Sequence, residues 1–180
     1  MKEGFGIWIT GLPASGKSTL TAALKPQLEA LGLPVEVLES DEVRRVVTPS
    51  PSYSHEEREL FYRALAYCGS RLVARGVNVI FDATANKRAY RDLARGLIRQ
   101  FIEVAVECPL EVCKERDRKG TYRKAEAGES TTVPGLQDAY EPPLNPQVRI
   151  DTSRTAPSAG AELIITTLRG RFLPESSRMA

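Results

Sequence analysis

The sequence predicts an α/β fold: a single domain in which five parallel strands form a sheet flanked by helices. Two observations carry that expectation. Short runs rich in β-branched residues alternate with helical patterns along the 180 residues, an order that builds a parallel sheet covered on both faces. The first run, Phe5 to Ile9, leads into a glycine-rich turn and from there directly into a helical pattern of Leu20, Ala23, Leu24, Leu28 and Leu31. At 42% hydrophobic the chain can bury a core, and no repeat or low-complexity linker divides it.

The strands are expected at about 5–10, 35–39, 77–81, 101–106 and 147–151. The turn after the first is Gly11-Leu12-Pro13-Ala14-Ser15-Gly16-Lys17-Ser18-Thr19, which fits the phosphate-binding P-loop pattern. Its glycines let the backbone curl so that successive N–H groups point at phosphate oxygens, and the helix that follows adds its positive end. In that chemistry Lys17 reaches the β- and γ-phosphates and the Ser18 hydroxyl ligates Mg²⁺. The strand before the motif and the helix after it are the context that marks a nucleoside triphosphate site. Pro26 falls inside that helix, where it removes a backbone bond and is expected to kink it.

The second strand runs into Ser40 and Asp41, just past its C-terminal end. Asp41 either caps the next helix or faces the ligand crevice, and sharing an edge with the P-loop favours the crevice. Thr48 to Ser54 reads as loop, and Ser54-His55-Glu56-Glu57 as a capping box opening a helix to about Arg75, with Phe61, Leu65, Cys68 and Leu72 on its core face. His55 reads as exposed in the first turn. Arg58 either is solvated or faces an anion above the P-loop. The third strand ends Phe81-Asp82, as in a Walker B strand whose carboxylate orients Mg²⁺ or its waters. Ala89 stands where a guanine-reading N-K-x-D motif needs Asp, which argues against a GTPase switch.

A helix is expected after Pro109. It carries Arg116 to Lys124, five of whose nine residues are basic. Such a run is either a solvated face or a mobile lid whose cations neutralise a transferring group while closure excludes water. The lid is favoured, spanning about 116–135 with Gly120 and Gly128 as hinges. A proline-rich loop over 135–146 precedes the last strand. A final amphipathic helix follows with Ala161, Ile164, Ile165 and Leu168 on the sheet, and the tail from Pro174 is expected to fray.

Composition narrows the function classes. The net charge of +2, from 25 Lys+Arg and 23 Asp+Glu, is too mild to argue for nucleic acid. Three cysteines without C-x-x-C spacing suggest reduced thiols in a cytoplasmic protein, not a zinc site. One histidine excludes a His-based metal cluster. The N-terminus shows no signal peptide, and no apolar run is long enough to cross a bilayer.

Together these motifs resemble the adenylylsulfate (APS) kinases of the P-loop NTPase superfamily. The likeness rests on Gly11–Thr19, on Asp41 with Arg44, on Tyr53-Ser54 with Arg58, and on Phe101 to Cys113, Arg116 to Gly120, Tyr122 to Ala125 and Ala127 to Glu129. It resumes at Gly135, Asp138, Tyr140-Glu141 and Ile150 to Thr152. The resemblance implies a P-loop kinase domain over 1–174 with a flexible tail at 175–180. The implied reaction moves the ATP γ-phosphate to the 3′-hydroxyl of adenylylsulfate, giving PAPS and ADP in sulfate assimilation. It implies ATP binding by Gly11, Leu12, Pro13, Ala14, Ser15, Gly16, Lys17, Ser18, Thr19 and Arg116. Catalysis falls to Lys17 and Asp41, and Mg²⁺ is held by Ser18 and Asp82. The acceptor is bound by Asp41, Arg44, Tyr53, Arg58 and Lys124, with Tyr53 replacing a Phe that stacks on adenine. A homodimer is the usual assembly.

The chain departs from the family pattern around the acceptor. Val133 stands for a second adenine-stacking aromatic, Thr131 for a Lys, Leu60-Phe61 for a Glu-Asn pair, and Ala85-Asn86-Lys87-Arg88 for Ser-Pro-Tyr-Arg. The ATP side is spared. A related P-loop kinase acting on another nucleotide or a metabolite therefore stands beside the first reading. An ATP-dependent regulatory switch is a third, against which the basic lid argues.

Overall fold

The structure, a computed structural model, describes residues 3–173. The tail expected to fray from Pro174 lies outside the described residues. Five strands, β1 (Gly6–Thr10), β2 (Val35–Glu39), β3 (Asn78–Asp82), β4 (Phe101–Glu107) and β5 (Val148–Asp151), pair in parallel in the order β2-β3-β1-β4-β5. Seven helices are described: α1 (Lys17–Ala30), α2 (Ser40–Val47), α3 (His55–Ala74), α4 (Arg88–Leu97), α5 (Leu110–Glu115), α6 (Thr121–Glu126) and α7 (Pro157–Arg171).

Every residue of β1 and β3 is buried, as expected of parallel strands covered on both sides. Side chains alternate between two cores. Ile7, Ile9, Ile80, Ile102 and Val104 meet α1 and α7. Trp8, Val79 and Phe81 meet α3 and α4, with Trp8 stacked on Phe81 at 4.7 Å. Burying aliphatic side chains at about 25 cal/mol per Å² makes this two-sided core the main source of stability.

Register fixes the site. Ile9 lies opposite Asp82, and Glu39 opposite Asp82 on the other side, so the ends of β1, β2 and β3 form one level edge. The P-loop, α2 and the loop after β3 all leave from that edge.

Several local expectations are revised. Helix α1 runs on through Pro26, which faces outward at the helix surface. On α3, Phe61 and Leu65 are buried, but Cys68 is exposed and Leu72 only half-buried. The buried row instead includes Gly69, which lies against the Phe81 ring with no room for a Cβ, so its neighbour Cys68 turns outward. The capping box is half made. Ser54 Oγ accepts from Glu57 N at 3.2 Å, whereas the Glu57 carboxylate turns to Ser52 and Arg44. The helix expected after Pro109 is two short ones, α5 and α6, broken at Gly120 with φ +71°.

Candidate active site

The loop between β1 and α1 is bent where its glycines allow. A Cβ on Gly11 would lie 2.6 Å from the Val106 carbonyl oxygen and 2.8 Å from Ser15 Oγ, so only glycine fits. Gly16 begins α1 with φ +97°, a conformation that strains other residues. The Lys17 ammonium donates to the carbonyls of Gly11 at 3.1 Å and Leu12 at 2.8 Å, lying across the hollow of its own loop. Burial lowers its pKa, and the nearby carboxylates of Asp82 and Asp41 oppose that. Ser15 Oγ is buried against Gly11 and has no hydrogen-bond partner.

Asp82 ends β3 beneath this loop, 3% exposed. Burial raises its pKa, while Lys17 and the hydroxyls of Ser18 and Thr21 pull it down. Ser18 is exposed in the first turn of α1. A carboxylate and a hydroxyl are hard oxygen donors of the kind a magnesium ion takes, so the residues present fit that ion.

Asp41 is exposed in the first turn of α2 and makes the contact that matters most across the crevice. Lys119 Nζ, from the basic run, donates to its carboxylate at 2.5 Å and lies 3.7 Å from Glu39. The Asp41 hydrogen bond is the first cause holding the Lys119 pKa up. Glu39 is raised by burial and then by Asp41. A groove of about 430 Å³ between α1 and β2 opens on this corner, with Ser18, Asp82, Glu39 and Lys119 at its edge.

A second group forms between α2 and α3. Arg44 is 6% exposed, its guanidinium 3.8 Å over the Phe61 ring, with the Tyr53 and Tyr62 rings at 5.2 and 5.6 Å. Glu57 pairs with it at 3.1 Å. Arg58 donates to the carbonyls of Tyr53 at 3.0 Å and Thr132 at 2.5 Å and pairs with Asp138 at 3.6 Å. Tyr53, at φ +55°, stands 40% exposed between the two arginines. An acceptor with an anionic group would meet two arginines already held in place.

The loop after β3 closes that space. The carbonyls of Ala83, Thr84 and Ala85 take hydrogen bonds from Trp8 Nε1 at 3.0 Å, Thr10 Oγ1 at 2.6 Å and Arg91. The Ala85 amide donates to Tyr62 Oη at 3.2 Å. Arg91 has no exposed surface. It pairs with Glu103 at 2.6 Å, and Glu103 also holds Arg95 at 2.5 Å.

The basic segment is folded down over the P-loop. Asp117 caps α6 by accepting from the amides of Thr121, Tyr122 and Arg123 at 2.8, 2.8 and 3.2 Å. Tyr122 Oη donates to the Pro13 carbonyl at 3.0 Å. Cys113, Tyr122, Ala125 and Val133 form a small core with Leu12 and Ala14 packed on it. Burial and Cys108 push the Cys113 thiol up to about 12. Arg116 donates to Thr152 O at 3.2 Å, and Thr152 Oγ1 to Ser15 O at 2.6 Å, which places Arg116 at the P-loop's outer side.

Thus Gly11–Thr19, Asp41 and Asp82 converge on one crevice, Arg44, Tyr53 and Arg58 on the adjoining one, and Arg116 stands at the far side of the P-loop. Lys124 is exposed on α6, and among the described residues its side chain makes no hydrogen bond or ion pair that ties it to the acceptor side. Sequence reasoning missed Lys119 and Glu39, and with them the Arg91–Glu103 pair. Only the position of Lys119 just before Gly120, in a cationic run, carried any signal. Of the departures, Val133 is turned into the small core, Phe61 lies under Arg44, and Leu60 and Thr131 are exposed.

The sequence model of the adenylylsulphate kinase family matches residues 3–151. An adenylyl-sulfate kinase of Rippkaea orientalis is 43% identical over 151 residues, 84% of this chain and 83% of that one. A second, from a Synechococcus strain, is 41% identical over 168 residues, 93% and 96% of the two chains. Among solved structures, the Mycobacterium tuberculosis APS kinase CysC in complex with AMPPNP and APS superposes with a TM-score of 0.88 at 31% identity, covering 94% of this chain and 99% of that one.

Proposed function

The chain belongs to the adenylylsulphate kinase family, and on that footing we propose that it transfers the γ-phosphate of ATP to the 3′-hydroxyl of adenylylsulfate, giving PAPS and ADP. The observation that supports this best is the meeting of Lys17, Asp82, Asp41 and Lys119 at one sheet edge. In this reading the P-loop amides and Ser15 Oγ cradle the phosphates, and the Lys17 ammonium exchanges its two carbonyl partners for phosphate oxygens. Asp41 aims the acceptor hydroxyl or takes its proton. Lys119, released from Asp41 by the acceptor, neutralises charge on the transferring group. Arg44 and Arg58 bind the phosphosulfate and Tyr53 stacks on the base. Ser18 and Asp82 hold Mg²⁺, which when bound offsets phosphate charge. Arg116 lies toward the nucleoside end of ATP. The segment 116–135 serves as the lid, and Lys124 joins the acceptor side only if α6 moves.

The three free cysteines suit the reducing cytoplasm, where we place the enzyme. A homodimer suits the exposed apolar side chains Val46, Val47, Leu60 and Tyr67 on α2 and α3, which a second copy would cover. The test is ADP release by the purified protein with ATP, Mg²⁺ and either adenylylsulfate or a panel of hydroxylated metabolites and nucleotides. Stimulation by adenylylsulfate supports the reading. No stimulation, with turnover on another acceptor, sinks it and favours a kinase whose pocket Phe61 and Val133 have reshaped.

A further inference from the structure

Lys119 stands between two carboxylates. Its Nζ donates to Asp41 Oδ2 at 2.5 Å and lies 3.7 Å from Glu39 Oε1, which gives it one tight partner and one loose one. The two partners differ in setting. Asp41 is on the first turn of α2 with its side chain 55% accessible. Glu39 ends β2, opposite Asp82 in the sheet register, with its side chain 25% accessible. Glu39 stands at the cap position of α2, yet its side chain makes no cap hydrogen bond. Among the described residues Lys119 is the one cation within ion-pair distance of it. Glu39 and Lys119 also line the groove that Ser18 and Asp82 line, and Asp41 is not among its walls. An ammonium on Glu39 thus stays at the P-loop corner.

The backbone that carries Lys119 is held. Gly120, the next residue, takes φ +71° and donates its amide to the Asp117 carbonyl at 3.2 Å, and Tyr122 Oη fixes the following turn to Pro13. The Lys119 side chain is 67% accessible, and exposed side chains change rotamer within nanoseconds. Closing the gap to Glu39 to hydrogen-bond length takes a shift of about 1 Å, with no movement of α6. In the proposed reaction the acceptor hydroxyl approaches Asp41, where the ammonium already sits, so the ammonium needs a second seat.

We propose that Glu39 is a positioning residue for the transfer: it receives the Lys119 ammonium when the acceptor takes Asp41, and so keeps that charge beside the P-loop. This rests on the reaction proposed above. Asp41 is then free to accept from the acceptor hydroxyl, while Lys119 remains where charge develops on the transferring group. Glu39 itself touches no reacting atom.

The test is a double-mutant cycle on the full-length enzyme with ATP, Mg²⁺ and adenylylsulfate. Glu39→Gln keeps the shape of a partly exposed side chain and removes its charge. It should lower kcat/KM for adenylylsulfate about fivefold, the scale of one exposed ion pair, with KM for ATP nearly unchanged. Lys119→Ala should lower kcat about tenfold or more. In the Lys119→Ala background Glu39→Gln should cost nothing further, because the side chain it seats is gone. A structural role for Glu39 would add the same loss in both backgrounds. An undiminished kcat/KM in Glu39→Gln, or equal losses with and without Lys119, overturns the proposal and leaves the proposed reaction standing. So does a loss that excess Mg²⁺ restores, which would assign Glu39 to the metal. No turnover of adenylylsulfate by the unaltered enzyme overturns the proposed reaction and this proposal with it.

Discussion

At the scale of single residues, the site keeps charges where burial opposes them. Asp82 is the clearest case. Its pKa in the folded protein is raised, chiefly by burial, so its contribution to stability is present below the ordinary carboxylate range and is lost as pH rises through the raised value. At neutral pH the ionised carboxylate therefore destabilises the ligand-free fold. Asp82→Asn should raise the Tm of the ligand-free protein at pH 7, at about 2–4 °C per kcal/mol for a chain of this size, and abolish most transfer. A lower Tm would mean that Asp82 is held by more than these partners. Asp41 is exposed and paired with Lys119, and the proposed reaction sets it against the acceptor rather than ATP. Asp41→Asn should cut kcat by about a hundredfold or more with KM for ATP nearly unchanged. An unaltered kcat would reduce Asp41 to a helix cap. Asp41 and Asp82 were legible because each follows an apolar strand directly. Lys119 was not, because it reaches Asp41 from a separate element 78 positions on.

At the scale of elements, what could be read depended on how local the cause was. The strands were read to within about a residue because their β-branched runs are bounded by turn residues, and those of β1 and β3 are buried on both faces. The outward turn of Cys68 was not legible, since it follows from Gly69 pressing on Phe81 of another element. The same holds for Arg91 and Glu103, whose charges look solvated in the sequence and are buried only because α4 lies against β4. The basic segment was read as one helix, and the structure divides it at Gly120 and seats α6 on the P-loop through Asp117 and Tyr122. Asp117→Ala removes a cap on three amides and should cost about 1–2 kcal/mol. It should also raise KM for ATP several-fold, which kinetics and thermal melting together can check. Thermal loss with no change in KM would detach α6 from nucleotide binding.

At the scale of the whole molecule, one sheet edge collects the P-loop, the carboxylates of Asp41 and Asp82 and the lysine, Lys119, paired with Asp41. The strand order β2-β3-β1-β4-β5 makes this possible by setting β1 between β3 and β4, so that the P-loop leaves from the middle of the sheet. The P-loop of the proposed ATP site was legible because its nine residues are consecutive, Gly11–Thr19. The proposed acceptor half draws on α2, α3, the loop after β3 and the segment near Asp138, and the surroundings of the departures Phe61, Asn86 and Val133 are set only when those segments meet. The most direct test is phosphorus NMR with mass spectrometry of the products formed from ATP, Mg²⁺ and adenylylsulfate, run beside Lys17→Ala. The account predicts one 3′-phosphorylated adenylylsulfate for each ADP, and none with Lys17→Ala. Free phosphate in place of that product, or undiminished product from Lys17→Ala, would contradict it.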